Sequence, residues 1–66
     1  IKIKVNGKAK TVLNNSKLSN LLNYLNIPIK KVAIELNQEI IDKKRTSNIK
    51  LQKDDKIEIV HFIGGG

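Results

Sequence analysis

A chain of 66 residues buries only about 60% of the surface its unfolded form exposes, which leaves room for one small core and no deep catalytic cleft. It has no cysteine and a single histidine, so disulfides, a thiolate zinc site and a thiol nucleophile are excluded. Net charge is +7 and unevenly placed: residues 1–33 hold seven lysines and no acid, whereas residues 34–66 hold six basic and six acidic residues.

The opening "IKIKV" alternates apolar and basic residues, the pattern of a strand with one wet face. Asn6-Gly7 follows, a two-residue turn signal whose central positions both need positive φ, and "KAKTVL" returns as the second strand. Such a turn pairs Ile1 with Val12 on the core face and brings Lys8 and Lys10 onto that face as well. Either the lysine stems lie along the sheet edge with their amines in water, or a bulge shifts the register. The residues leave both open.

The segment "NNSKLSNLLNYLNIP" predicts a helix. Ser16 is its expected N-cap, with Ser19 rather than glutamate at the third position after it. Leu18, Leu21, Leu22 and Leu25 form one apolar stripe, and Pro28 stops the helix, since the residue before a proline is pushed out of helical angles. "KVAIELNQEII" reads as a third strand with Val32, Ile34 and Leu36 on one face, then a turn at Asn37-Gln38 and a short strand at 39–41. "DKKRTSN" reads as a polar loop, Ile49 and Leu51 as isolated core anchors, and "KDDK" as a turn before the final strand "IEIVHFI". A helix laid across a sheet is the arrangement that covers the apolar faces. The expected fold is α+β, of ubiquitin-like β-grasp type: a mixed sheet of four to five strands with one main helix across it and the last strand central beside the first. It occupies residues 1–63, and a flexible Gly-Gly-Gly tail occupies residues 64–66.

Ordinary catalytic chemistry finds no support. His61 lies on the last strand with no nucleophile or orienting carboxylate at fixed spacing and reads as an exposed strand residue. Asp54 and Asp55 read as turn residues, and Ser16, Ser19 and Ser47 as cap and loop residues. No phosphate loop is present, because the glycines follow the last strand with no helix behind them. The lysine excess is read first as solvated surface, then as a docking face for an acidic protein, and last as a nucleic-acid surface. Arg45 is the sole arginine and Tyr24 and Phe62 the sole aromatics, whereas base readout favours arginine and single strands need stacking platforms. No apolar stretch reaches the ~20 residues of a membrane span, and no charged-then-apolar leader is seen; a soluble, cytoplasmic protein, monomeric by itself, is expected.

The glycine end poses its own question. Three extended glycines reach about 10 Å, and without a Cβ they can thread a channel closed to any side chain. A terminal carboxylate is a poor electrophile until a partner enzyme converts it to an acyl-adenylate. A thin tail anchored by Phe62 and Ile63 therefore suits a group handed between enzymes. The alternative is a remnant of a cut linker, and the glycines alone leave the two readings open.

Several segments together resemble the thiamine-biosynthesis sulfur-carrier family (ThiS): "VNGK" at 5–8, "LSNLLNYLNI" at 18–27, "VAIELNQEII" at 32–41 and "KDDKIEIVHFIGGG" at 53–66. The likeness covers essentially the whole chain, and its two later segments are the specific ones. Departures are Ile1 in place of an initiator residue, Gln38 where glycine is usual in the turn, and the lysine-rich start. The resemblance implies that the Gly66 carboxylate is adenylated by an E1-like partner using ATP, with no cofactor held by this chain. A cysteine desulfurase or other persulfide donor would then displace AMP and leave a thiocarboxylate, whose sulfur goes to thiazole synthase. Gly64 and Gly65 would line the partner's channel, and Phe62 and Ile63 would seat the tail on the partner. A carrier without a thiol has to hold sulfur at its end, which fits the missing cysteine. The chain would be no enzyme but a substrate of its partners. The rivals are the small subunit of molybdopterin synthase, usually longer and ending in two glycines, and a ubiquitin-like modifier, recognised by an isopeptide bond. A basic nucleic-acid-binding domain, recognised by steep salt dependence, is the rival from a different class.

Overall fold

The computed structural model describes residues 1–62. The judgements on residues 63–66, including the boundary between domain and tail, lie outside the described residues. Strand β1 (Lys2–Val5) buries Ile3 and Val5 and exposes Lys2 and Lys4, as the alternation requires. It turns through Asn6 (φ 50°) and Gly7 (φ 80°) into β2 (Lys8–Thr11). Val5 pairs with Lys8 and Ile3 with Lys10, and Ile1 exchanges both backbone hydrogen bonds with Val12 at 2.8 and 2.9 Å. The turn is therefore the two-residue one, with no bulge. The lysines do share the core-side face of the hairpin, but β2 is the sheet edge, so Lys8 is exposed and Lys10 half-buried along its stem.

Helix α1 (Leu18–Tyr24) buries Leu18, Leu21 and Leu22, and Leu25 packs against them. Its N-cap is Lys17 rather than the expected Ser16. The cause is a distant pairing: the Ser16 carbonyl accepts from Leu51 N–H and the Leu18 N–H donates to Ile49, so 16–18 stays extended beside 49–51. Asn20 then reaches back to accept from the Lys17 N–H at 2.8 Å, while Ser16 Oγ donates to the Leu13 carbonyl. The stop comes before Pro28. Asn26 adopts φ 56°, its N–H donates to Asn23 and that of Ile27 to Leu22, the pair of bonds that closes a helix end with a left-handed residue.

Pro28 leads into a single 3₁₀ turn (Ile29–Lys31) and then β3 (Val32–Leu36). Asn37 (φ 52°) and Gln38 (φ 73°) form the tight turn to β4 (Glu39–Ile40). The segment read as a plain loop instead winds into a 3₁₀ helix (Lys43–Asn48). Asp42 caps it by accepting from the Lys44 N–H at 2.9 Å, and its Thr46 is buried with its hydroxyl donating to the Lys43 carbonyl. Leu51 is buried and Ile49 half-buried, as core anchors.

The sheet order is β2-β1-β5-β3-β4, with β5 (Lys56–His61) central, parallel to β1 and antiparallel to β3. This is the mixed five-stranded sheet with one main helix of a β-grasp fold. The core joins Ile3, Val5, Ile34, Val32, Ile57 and Ile59 of the sheet to the leucines of α1. β5 outruns β1, and the Asn6 side chain continues the ladder, accepting from Ile59 N–H at 2.7 Å and donating to the Ile59 carbonyl at 3.3 Å. At the other end Asn37 accepts from Lys56 N–H at 2.9 Å and donates to Asp55 at 3.0 Å. Asn6→Ala removes both Ile59 contacts and strains a positive φ, so denaturant melts are expected to show a loss of about 2–3 kcal/mol.

Candidate functional site

What places the end of β5 is its position between β1 and β3. Directly opposed residues share a sheet face, so Ala33 with Val60, and Glu35 with Glu58 and Ile40, form the face turned away from the buried Ile34 and Ile59. Val60 is 55% exposed and Ile40 77%. They make apolar ground bounded by two carboxylates, Glu35 and Glu58. Among the described residues no helix crosses this face. The next residues complete the exit of the strand. His61 opposes Val32 and is exposed, as expected of it.

Phe62 is the one described residue among those expected to form the site. Its N–H donates to the Lys31 carbonyl at 2.8 Å, so the backbone stays paired one step past the end of β5. Its ring is 56% exposed, and the ammonium of Lys43 sits 4.9 Å from the ring centroid, within the range of a cation–π contact. The 3₁₀ helix thus supplies a brace for the last described side chain. Gly64, Gly65, Gly66 and Ile63 lie outside the described residues. Sequence reasoning missed Lys43, which only the tertiary fold brings to Phe62, and it missed Val60, Ala33 and Ile40. The period-two alternation of β5 held the signal for Val60, since a valine facing outward beside Glu58 is an apolar residue without a core to enter.

Among the described residues no group of three His, Cys, Asp or Glu side chains could hold a metal ion. Asp54 and Asp55 take their turn role: Asp54 adopts φ 69°, and Asp55 accepts from Gln52 N–H at 2.7 Å. No helix among the described residues is long and apolar enough to cross a membrane. What the arrangement can do is hold the chain leaving β5 at a fixed point, between an apolar face and a braced aromatic.

Comparison with known proteins agrees in fold and in extent. The ThiS family model matches residues 3–66. The sulfur carrier protein ThiS of Bacillus subtilis is 40% identical over 65 residues, covering 97% of this chain and 98% of that protein. A thiazole synthase of Magnetococcus marinus is 39% identical over 66 residues, which are 100% of this chain and 20% of that protein; a second thiazole synthase, of Paramagnetospirillum magneticum, matches over the same share. The chain thus spans about a fifth of the length of these two relatives. The crystal structure of the thiamine biosynthesis protein ThiS from Geobacter metallireducens superposes with a TM-score of 0.86 at 29% identity, covering 100% of both chains. With the hairpin, the leucine-striped helix, the central β5 and the family match all in one register, this chain belongs to the ThiS family.

Proposed function

We propose that this chain carries sulfur for thiazole formation in thiamine biosynthesis, as a substrate of other enzymes rather than an enzyme itself. The observation that carries the reading is the family match running through residue 66, fed by a strand at the centre of the sheet. The Gly66 carboxylate attacks the α-phosphorus of ATP in an E1-like partner, releasing pyrophosphate and forming an acyl-adenylate. A persulfide from a cysteine desulfurase or similar donor displaces AMP, giving an acyl disulfide. A thiol then reduces its S–S bond, leaving a thiocarboxylate on Gly66 and a disulfide on the donor side. Thiazole synthase takes the sulfur from there. No cofactor is held by the chain itself; ATP belongs to the activating partner.

Each part of the molecule has a place in that sequence. Gly64 and Gly65 present no Cβ to a channel wall, so the carboxylate can reach a nucleotide site from which the folded body is excluded. Phe62, braced by Lys43, and Ile63 seat the base of the tail, and Val60, Ala33 and Ile40 offer the apolar ground on which a partner rests. Intact mass after incubation with ATP, an activating enzyme and a persulfide source tests the reading. The expected product is heavier by the difference between a sulfur and an oxygen atom and reacts with an alkylating reagent, which an oxidised chain of equal mass does not. An unchanged mass overturns it.

The docking face gives a separate prediction. Val60→Lys places a charge on the outward side of β5, so stability should change by no more than about 1 kcal/mol. Sulfur acceptance should need at least about tenfold more carrier, the equivalent of about 1.4 kcal/mol of lost binding. A concentration series in the mass assay reads both limits.

A further inference from the structure

A second surface lies away from the tail. β2 is an outer strand of the sheet. Because Ile1 and Val12 exchange both of their backbone hydrogen bonds, the alternation of an antiparallel pair makes Ile3–Lys10 and Val5–Lys8 bonded pairs too. Ala9 and Thr11 therefore direct their N–H and C=O groups away from β1, into solvent. Beside this open edge, between β2 and α1, runs a groove of about 380 Å³ lined by Lys10, Thr11, Val12, Leu13, Leu21 and Tyr24. Leu13 and Tyr24 stand on its rim at 83% and 81% exposed, large apolar side chains that the core does not use.

The charged side chain that lines the groove is basic, Lys10, and Asp54 lies by Ala9 on the other face of the hairpin. Lys8 and Lys10 lie on the edge strand itself and Lys17 heads the helix, while residues 1–33 contain no acid at all. Lysine on a sheet edge blocks pairing between like copies, and two chains of net charge +7 would set Lys8 and Lys10 against their own kind. The same lysines admit a strand of opposite charge. Nucleic acid would match the charge but has no use for a row of outward peptide groups, nor for an apolar groove whose single aromatic is Tyr24.

We propose that the β2 edge and its adjoining groove bind an extended acidic segment of a protein partner, which adds to the sheet as a sixth strand beside β2. Its backbone pairs with Ala9 and Thr11, and on the groove side its side chains stand opposite those of β2: carboxylates by Lys8 and Lys10, and an apolar side chain by Val12, entering the groove against Leu13, Leu21 and Tyr24. This is strand addition, in which main-chain bonds supply affinity and alternate side chains supply specificity. The surface and the tail do not compete. Thr11 pairs with Lys2 at the start of β1, while β5 begins opposite Lys4 and runs parallel to β1, away from that pair, for six residues, about 20 Å, before Phe62. A partner can hold this edge while the tail sits in another active site.

The test uses the whole chain labelled with nitrogen-15 and a synthetic peptide with glutamates at the groove-side positions opposite Lys8 and Lys10, valine opposite Val12 and threonine at the positions between. The expected amide shifts are largest at Ala9, Thr11, Leu13, Leu21 and Tyr24, and exchange at Ala9 and Thr11 slows at least about tenfold. Thr11→Pro removes a donor that faces away from β1, so the remaining spectrum persists and the peptide-induced shifts vanish. Lys10→Glu leaves the edge pattern in place and weakens the peptide at least about tenfold, the direction charge reversal demands. The proposal is overturned by the absence of shifts, by shifts centred elsewhere, or by Thr11→Pro binding as the parent does. It also fails if polyglutamate or a single-stranded oligonucleotide reproduces the same shifts and exchange protection, or if the chain without peptide pairs with itself through these amides.

Discussion

A chain lacking Gly65 and Gly66 is expected to melt within a few degrees of the full chain and to accept no sulfur. The first half follows from where the core is. All ten buried apolar residues of the described region fall between Ile3 and Ile59, and the sheet's central strand is paired on both sides before residue 62. Glycine contributes least to a folded core, having no side chain to bury and the most backbone freedom to lose. The second half follows from the proposed chemistry. Shortening by two residues withdraws the carboxylate by about 7 Å, whereas a displacement of about 1 Å in a reacting group is enough to cost about a hundredfold in rate. Thermal melts by circular dichroism and intact mass after the sulfur-transfer reaction read the two halves separately. A shortened chain that fails to fold would contradict the division of roles between body and tail. A shortened chain that takes up sulfur would contradict the role of the end.

The body has its own expected result. Ile34→Ala should cost about 3–4 kcal/mol, the range for truncating a fully buried isoleucine where a cavity is left behind. Ile34 is 0% exposed and sits on β3 opposite Ile59 of β5, between sheet and helix, where little can move in to fill the space. A domain of this size has a total stability of about 3–10 kcal/mol, so the substitution consumes a large share of it and populates the unfolded chain at ambient temperature. Ile40→Ala, six residues on and 77% exposed, should change stability by no more than about 0.5 kcal/mol. Urea melts of the two variants decide the matter. Comparable losses would mean that the burial pattern of β3 and β4 has been misassigned.

The features legible in the sequence were those set by local chemistry. Asn6-Gly7 fixed the hairpin because two consecutive positive φ values are available to few residue pairs, and the Ile1–Val12 pairing follows from counting outward from that turn. The leucine stripe of α1 and the alternation of β3 and β5 could be read for the same reason. Asn37-Gln38 took the expected turn even though Gln38 stands at φ 73° without being glycine. Features written in tertiary contacts were not legible. Ser16 has the chemistry of an N-cap, yet a backbone pairing with 49–51 holds it extended and hands the role to Lys17. "DKKRTSN" carries a capping aspartate at Asp42, but its polar composition hid the 3₁₀ helix that Thr46 anchors.

The candidate site divides along the same line. The glycines and the aromatic before them were visible as residue types. The Lys43 brace on Phe62 joins positions nineteen residues apart, and no spacing rule connects them. Asn6 and Asn37, read as turn residues, also hold β5 at Ile59 and at its first residue, Lys56, by side-chain hydrogen bonds; that second role depends on a strand distant in sequence. The exposed Leu13 and Tyr24 gain meaning only when β2 proves to be an edge.

The most direct measurement compares two full-length chains prepared by ligation, one ending in the free acid of Gly66 and one in its carboxamide. Both are exposed to ATP, the activating enzyme and a persulfide donor, then weighed intact before and after alkylation. The free acid should gain sulfur and become alkylatable, while the carboxamide, which cannot be adenylated, should keep its mass. Equal sulfur uptake by both would contradict the assignment of the chemistry to that single carboxyl group.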